Sequence, residues 1–150
     1  MMDKISIAER SKNMSAIRGQ NTKPEQLIRQ WLFAKGYRYR LHVKYILGHP
    51  DLYLRKYNTA IFVNGCFWHR HNNCKYAYTP KSNIEFWLKK FESNIRRDDE
   101  VKKLLEEQEI KQLIIWECTI KKMSKNVDDR CEMLSKIELF LSNDDQHLEI

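Results

Sequence analysis

Core packing does not explain the residue types between Ile61 and Cys74, in the segment IFVNGCFWHRHNNC. This segment joins an apolar run of strand type to two cysteines, two histidines and a pair of adjacent aromatic residues. A core segment with this alternation would bury several polar atoms without partners, which is energetically costly. We therefore expect the segment to build a site.

A metal centre is the first chemistry that these residues indicate. Cys66, His71 and Cys74 lie within nine residues, and Cys118 follows a second apolar run of strand type. Thiolates together with an imidazole select zinc in a closed tetrahedral site, so we predict a structural Cys3His zinc centre. The alternative is that Cys66 and Cys118 are ordinary buried thiols. Cys131 falls inside a predicted helix and is left out of the centre.

Acidic residues suggest hydrolytic chemistry close to this segment. Asp51 follows Pro50 at the start of a predicted strand, and the next strand ends at Val63 and Asn64, near His69. Glu25 belongs to a helix that can pack across the same sheet. Two carboxylates with a divalent ion, and a histidine for proton transfer, can hydrolyse a phosphodiester. The alternatives are that Asp51 is a turn residue and Glu25 a helix-capping residue.

The adjacent rings of Phe67 and Trp68 indicate a binding surface. Two large rings in a metal loop beside Arg70 are costly to expose unless they stack on a partner. Proteins that bind nucleic acids insert such side chains between base steps. Trp31, Phe91 and Trp116, by contrast, lie on apolar faces and are predicted to belong to the core.

The charge of the chain points to a polyanionic partner. There are 27 Lys and Arg residues against 20 Asp and Glu, a net charge of +7. Between residues 11 and 50 eight basic residues accompany Glu25 alone, eight minus one, so this part carries an excess of +7. A basic segment of this kind is typical of nucleic-acid binding, although a solvated basic face without a partner is an equal alternative.

The composition indicates one globular domain over residues 1–150. Hydrophobic residues make up 42% of the chain, which argues against disorder. No stretch approaches the roughly eighteen apolar residues of a membrane helix, and no signal-type segment opens the chain. We expect a cytoplasmic protein, in which cysteines bind metal more often than they form disulfides.

The predicted elements alternate in a pattern typical of an α/β protein. Thr22 to Glu25 forms a capping box for a helix that ends at Gly36. Three strands follow as an antiparallel meander, and a second capping box at residues 82–85 starts a helix to about Glu107. The remaining predictions are a short helix at 11–18, a central parallel strand at 113–116, a last helix at 127–141 and a loose tail at 143–150. The meander strands are predicted at 37–43, 51–55 and 59–63.

Several motifs in this order resemble the very short patch repair (Vsr) family of DNA mismatch endonucleases. The most specific are Gly65 to His69, with His71 and Cys74, followed much later by Trp116 to Cys118. The resemblance runs from about residue 10 to residue 120. The other matching pieces are Arg10-Ser11-Lys12-Asn13-Met14, Glu25, Gly48-His49-Pro50-Asp51, Glu85-Phe86-Trp87-Leu88, Asn94 and Arg97-Asp98.

The resemblance implies a restriction-endonuclease-like fold of the PD-(D/E)xK type, with a mixed sheet flanked by helices and a structural zinc. It implies a magnesium-dependent nick on the 5′ side of the thymine in a T·G mismatch, which arises when 5-methylcytosine deaminates. It also implies a protein that binds double-stranded DNA in the bacterial cytoplasm, associated with the nucleoid. A monomer is preferred, because one nick needs one active site. Mismatch-repair proteins are further candidate partners.

The same resemblance assigns roles to individual residues. Asp51 and the backbone carbonyl of Val63 hold magnesium, while His69 and Glu25 transfer protons or position water. Phe67, Trp68 and Trp87 insert next to the mismatch from the major groove. The other DNA contacts come from Lys12 and Met14 in a flexible segment of residues 1–20, and from Lys90 and Asn94 at the mismatched pair. The zinc ligands are Cys66, His71, Cys74 and Cys118.

One departure from the family pattern concerns the active site. The best-known members carry Thr-His where this chain has Val63-Asn64, and asparagine, unlike histidine, takes no proton from water at neutral pH. We therefore expect His69 to carry more of the proton transfer. Two alternatives stay open: a restriction-type nuclease that cuts undamaged DNA, and a zinc-stabilised DNA-binding module without catalysis.

Overall fold

A five-stranded mixed sheet forms the centre of the computed structural model, which describes residues 20–150. The strand order follows the chain from β1 to β5; β1, β2 and β3 are antiparallel neighbours, whereas β3, β4 and β5 run parallel. The predicted meander and the predicted parallel strand are thereby confirmed. The strands are β1 (Arg40–Leu41), β2 (Leu52–Leu54), β3 (Thr59–Asn64), β4 (Lys111–Trp116) and β5 (His147–Glu149).

Four α-helices flank the sheet in the described residues. They are α1 (Lys23–Ala34), α2 (Ile84–Glu107), α3 (Glu117–Lys125) and α4 (Val127–Ser142). At the start of α1 the Thr22 hydroxyl accepts a hydrogen bond from the Glu25 N–H at 3.4 Å, as the capping pattern predicts. The Glu25 carboxylate, however, accepts from the Asn21 N–H at 3.0 Å, one residue before the cap.

The start of α2 differs from the prediction. Asn83 is the N-cap and has a left-handed backbone (φ 54°) with no side-chain capping bond, so the helix begins at Ile84, one residue later than a cap at Ser82 would place it. The helix nevertheless runs to Glu107, where its end was predicted. Trp87 and Phe91 are buried, but Leu88 is 53% exposed, so the predicted apolar face packs only in part.

Alternating residues of β3 separate two cores. Ile61 and Val63 point to the face covered by α1, α3 and α4, where the main core lies. Ala60 and Phe62 point to the opposite face, beneath α2. Because side chains alternate along a strand, Asn64 is directed to the α2 face and Val63 to the α1 face. The main core contains Ile28, Leu32, Leu52, Leu54, Leu113, Ile115, Ile120, Met123, Ile137 and Phe140.

The end of the chain is ordered against β4, in contrast to the predicted loose tail at 143–150. Residues 147–149 form β5, and the Trp116 indole donates a hydrogen bond to Glu149 Oε1 at 2.7 Å. The Trp116 N–H also donates to the Ile150 carbonyl at 2.8 Å. These contacts fix the segment, together with Leu148 and Ile150, which pack against the main core.

Two further predictions need correction or fall outside the description. The strand predicted at 37–43 is reduced to Arg40–Leu41, and α3 was not predicted at all. The helix predicted at 11–18 lies outside the described residues. Among the described helices, none has the length and apolar character required to cross a membrane.

Candidate active site and metal centre

A cleft of about 690 Å³ opens beside the ends of β2 and β3. The predicted catalytic residues Glu25, Asp51, Asn64 and His69 all line it. They come from α1, from the start of β2, from the end of β3 and from the loop that follows. The other lining residues are Thr22, Pro24, Gly48, His49, Phe62, Val63, Gly65, Trp68 and Glu117.

Asp51 is held against the neighbouring strand. Its Oδ2 accepts a hydrogen bond from the Val63 N–H at 2.7 Å, and its own N–H donates to the Ile61 carbonyl at 3.0 Å. Burial raises the pKa of Asp51 to about 7, and the nearby Glu25 carboxylate adds to the increase, although the Val63 N–H opposes it. A carboxyl group that lies in a cleft, and whose pKa is raised by burial and by a neighbouring like charge, is typical of a functional site.

Glu25 lies beside Asp51 and is almost completely buried, with 2% of its surface exposed. Arg29 Nη2 lies 3.0 Å from Glu25 Oε2 and 3.1 Å from His42 Nε2. The ligand atoms of Glu25, His42 and Asp51 all lie within 4.8 Å of one another. Neither Arg29 nor His42 was predicted as a site residue; for His42, the alternation in residues 37–43 suggested a solvated strand face.

His69 has a carboxylate partner on α2. Its Nδ1 lies 2.7 Å from Asp98 Oδ2, and both side chains are about one third exposed. Because the carboxylate accepts the proton on Nδ1, we assign that tautomer, which leaves Nε2 as the basic nitrogen. Asp98 belongs to one of the motif pieces that match the family, but the sequence assigned it no role.

Asn64 is buried at the end of β3, at 6% exposure. It borders the cleft and a smaller cavity that also touches His69 and Asp98. An amide at this point can donate or accept hydrogen bonds, but it does not act as a base. His69 is therefore the stronger base of the pair.

The predicted metal ligands converge at the end of the sheet. The ligand atoms of Cys66, His71, Cys74 and Cys118 lie within 4.8 Å of one another. His71 Nδ1 is 3.6 Å from Cys66 Sγ and 3.4 Å from Cys118 Sγ. Tetrahedral zinc, with bonds of about 2.3 Å to sulfur and 2.0 Å to nitrogen, would separate these atoms by about 3.5 Å. The donor set and its spacing fit zinc.

Burial and neighbouring thiols set the pKa values of the cysteines in the metal-free cluster. Burial, together with the neighbouring Cys118 and Cys74 thiols, raises the pKa of Cys66 to about 12. For Cys74 burial acts in the same direction, but hydrogen bonds from the backbone of Tyr76 and from the neighbouring thiols outweigh it and lower the pKa. The His71 ring stacks on Trp116, with centroids 4.2 Å apart. Cys131 is exposed on α4 and lies outside the cluster.

The aromatic residues predicted to insert into DNA lie together. The Phe67 ring centroid is 5.1 Å from that of Trp68 and 5.5 Å from that of Trp87. Trp87 is only 3% exposed and stacks on Phe91, so its insertion into a duplex would require it to leave this packing. Phe67 and Trp68 are partly exposed.

Arg70 and Asn94 hold the loop that carries these rings. The Arg70 guanidinium lies 3.8 Å above the Phe91 ring and donates to the carbonyls of Phe67, Ala77 and Tyr78. Asn94 Nδ2 donates to the Trp68 carbonyl at 2.9 Å, so the amide predicted to contact DNA serves the loop in this structure.

The other predicted DNA-contacting residues are Lys90, Lys12 and Met14. Lys90 is exposed on α2. Lys12 and Met14 lie outside the described residues.

Comparison with known proteins adds a family context. The sequence model of the family described as DNA mismatch endonuclease Vsr matches residues 2–75. The DNA mismatch endonuclease Vsr of Escherichia coli (strain K12) is 36% identical over 129 residues, which is 86% of this chain and 82% of that protein. The Type II nicking enzyme V.NmeAIP of Neisseria meningitidis is 42% identical over 121 residues, or 81% of this chain and 86% of that enzyme. The Type II nicking enzyme V.XorIIP of Xanthomonas oryzae pv. oryzae is 36% identical over 120 residues, with coverages of 80% and 88%.

Proposed function

The chain belongs to the DNA mismatch endonuclease Vsr family, and on that premise we propose that it is a magnesium-dependent endonuclease that nicks duplex DNA on the 5′ side of the thymine in T·G mismatches. The observation that carries this proposal is the convergence of Glu25, Asp51 and His69 in one cleft. We infer a restriction-endonuclease-like fold of the PD-(D/E)xK type, in which Pro50 and Asp51 begin the motif. The substrate is a mismatch left by deamination of 5-methylcytosine.

Asp51 is the residue that would hold the catalytic ion, together with the Val63 carbonyl. Asp51 is buried next to the Glu25 carboxylate, and its pKa is raised first by burial and then by that neighbouring charge, which a cation bound at Asp51 would compensate. Carboxylate and carbonyl oxygens are the ligands that magnesium prefers. When bound, the ion supplies charge neutralisation at the phosphate and lowers the pKa of water.

Proton transfer falls to His69. Asp98 holds the Nδ1 proton at 2.7 Å, and this contact orients the ring and stabilises the imidazolium that forms when Nε2 accepts a proton. Glu25, fixed from two sides by Asn21 and Arg29, orients the attacking water. Asn64 contributes hydrogen bonds only.

The cysteine cluster holds a structural zinc in this proposal. Cys66 and His71 belong to the loop after β3, whereas Cys118 belongs to the first turn of α3. Zinc would therefore tie the loop that carries Phe67, Trp68 and His69 to the end of β4. The partly exposed rings then stack on the bases beside the mismatch, with Trp87 behind them.

The remaining contacts with DNA are electrostatic or lie outside the described residues. Lys90 and Lys12 bind the duplex, Met14 enters from the minor-groove side, and the excess of +7 in residues 11–50 attracts phosphate. We propose a monomer in the bacterial cytoplasm, associated with the nucleoid, because a single nick needs one active site.

A test of this function uses end-labelled duplexes that differ in one base pair. Incubated with magnesium, the protein is expected to nick the thymine strand of a T·G duplex and to leave a T·A duplex intact, and EDTA abolishes the product. The Asp51→Asn variant is expected to bind both duplexes without cutting either. Binding by the wild type without any cleavage would instead support a DNA-binding module.

A second candidate function has specific support. Several relatives are named Type II nicking enzymes, and Asn64 stands where the best-known mismatch endonucleases carry histidine. A restriction-type nuclease that cuts undamaged DNA would nick the T·A duplex at a rate comparable to the T·G duplex. The same assay therefore separates the two candidates.

A further inference from the structure

Two lysines share one exposed tyrosine ring beside the cysteine cluster. The Nζ atom of Lys121 lies 4.3 Å from the centroid of the Tyr76 ring, and that of Lys75 lies 5.2 Å from it. Tyr76 is 38% exposed, and both lysines are exposed as well. Two positive charges are therefore held near each other on the surface, and their mutual repulsion favours the binding of an anion there.

The cysteine cluster fixes the two segments that carry these lysines. Cys74 directly precedes Lys75 in the loop after β3, and Cys118 lies three residues before Lys121 on α3. The ligand atoms of the two cysteines lie within 4.8 Å of each other. The loop is also closed by the Ala77 N–H, which donates to the Cys74 carbonyl at 3.1 Å. The fold, and not a chance position of two long side chains, brings the lysines together.

The positive charge continues along α3. Lys125 follows Lys121 by four residues, so the two side chains lie on one face of the helix, and the exposed Lys122 adjoins them. Glu117 is the one acidic residue of α3, and its Oε1 lies 3.6 Å from Lys121 Nζ. Both side chains of this pair are well exposed, and such pairs are weak, so Lys121 stays available to another anion.

These side chains form one cationic surface, which we call the lysine–tyrosine patch. Within residues 20–150, its lysines other than Lys121 form no ion pair. The patch consists of Lys75, Tyr76, Lys121, Lys122 and Lys125.

The lysine–tyrosine patch adjoins the cleft of the candidate active site. Glu117 lines that cleft together with Gly65 and Trp68, and Lys121 lies one helical turn further along α3. A duplex bound in the cleft extends beyond its rim, so its backbone passes close to the patch. Duplex DNA carries one negative charge per about 1.7 Å of its axis, which is complementary to a surface of four lysines.

We propose that the lysine–tyrosine patch binds the phosphate backbone of duplex DNA next to the cleft, with Lys75 and Lys121 each contacting a phosphate. The inference rests on the proposed function in one respect, that duplex DNA is the substrate. Contacts with phosphates fix the position of a protein on the duplex without reading its sequence. The patch therefore contributes equally to the binding of mismatched and of fully paired duplexes.

The test measures the affinity of the zinc-loaded full chain for a T·A duplex and a T·G duplex in magnesium-free buffer, between about 50 and 200 mM salt. Each phosphate contact contributes about 0.9 to the slope of log K against log salt concentration, so the double variant Lys75→Gln with Lys121→Gln should lower the slope by about 2 on both duplexes. At 0.1 M salt its affinity should be about 60-fold lower, because the two lines converge near about 1 M salt. The charge-retaining double variant Lys75→Arg with Lys121→Arg should keep the slope of the wild type.

The matched control compares two single variants, Lys121→Gln and Lys136→Gln. Lys136 on α4 forms the same type of exposed pair with Glu132, at 3.7 Å and four residues apart. Lys121→Gln should lower the slope by about 1, whereas Lys136→Gln should leave it unchanged. Zinc content and the thermal midpoint verify the fold of every variant, and Lys121→Gln alone decides if the double variant loses zinc.

Three results would overturn the inference. The first is a wild-type slope in the glutamine variants, and the second is an equal loss in Lys136→Gln, which would show an effect of net charge alone. The third is absence of duplex binding by the wild type. Failure of the proposed function has a different signature, because a wild type that binds duplexes but does not nick the T·G strand with magnesium leaves the salt slopes to decide the inference.

Discussion

Asp51 is expected to destabilise the magnesium-free protein at neutral and alkaline pH, and its replacement by asparagine is expected to remove that cost. The carboxylate is buried next to Glu25, and burial raises its pKa from 3.8 to about 7. Asparagine keeps an oxygen that can accept from the Val63 N–H, but it carries no charge. The variant therefore tests charge burial with little change in shape.

The sign and size of the effect follow from proton linkage. Between pH 3.8 and about 7 the folded state keeps a proton on Asp51 that the unfolded state has lost, so the free energy of unfolding falls as pH rises. Each pKa unit corresponds to about 1.4 kcal/mol, so above pH 7 the charged Asp51 lowers the free energy of unfolding by about 4 kcal/mol. Between about pH 5.5 and pH 8 the wild type should lose about 2 kcal/mol relative to Asp51→Asn.

Urea denaturation of zinc-loaded, magnesium-free protein at the two pH values measures this difference. The pH dependence of groups remote from Asp51, including the cysteines, is common to both proteins and cancels in the comparison. Added magnesium should stabilise the wild type at pH 8 and leave Asp51→Asn unchanged, because binding to the native state alone raises stability. Asp99→Asn, an exposed aspartate on α2, should follow the wild type. An equal pH response of wild type and Asp51→Asn would refute the reasoning.

Other predictions concern His69, the metal centre and the aromatic rings. His69→Ala should lower the single-turnover cleavage rate by about 10²–10⁴-fold, the usual contribution of a general base, with zinc content and duplex affinity retained; an unchanged rate would remove it from the mechanism. Cys118→Ser should lose stoichiometric zinc, and its free energy of unfolding in urea should fall by more than about 4 kcal/mol, the range reached when a structural metal is lost. As a control, replacement of the exposed Cys131 by serine should change neither the zinc content nor the stability. Trp68→Ala should weaken binding to a T·G duplex by about 1–3 kcal/mol in a fluorescence titration, the scale of one base stack; equal weakening on a T·A duplex would contradict a role at the mismatch.

Periodicity was sufficient to predict the two central strands and α2, but not α3, which carries Cys118. The apolar runs at 59–63 and 113–116 are central strands, and α2 ends where its pattern ends. Because β3 and β4 are parallel neighbours, with Asn64 opposite Trp116, the residues that follow them meet at one edge of the sheet. This topology explains why Cys118 lies beside Cys66.

Contacts between distant, exposed or weakly apolar residues could not be predicted in this way. His69 and Asp98 are 29 positions apart, on a loop and on the polar side of a helix, and no periodic pattern links them. Arg29 and His42 belong to patterns that are typical of solvent-facing residues, yet both are largely buried. The tail at residues 147–149 has one apolar residue, Leu148, too few for a periodic pattern; it becomes a strand because its backbone pairs with β4 and Leu148 packs on the main core.

The central claim, a metal-dependent nick directed by a T·G mismatch, is tested most directly by mapping the product of a single turnover on separately labelled strands. We predict one product, cut on the 5′ side of the mismatched thymine, that requires magnesium and is absent with Asp51→Asn. Equal products from T·G and T·A duplexes, or a product that Asp51→Asn still forms, would contradict the account.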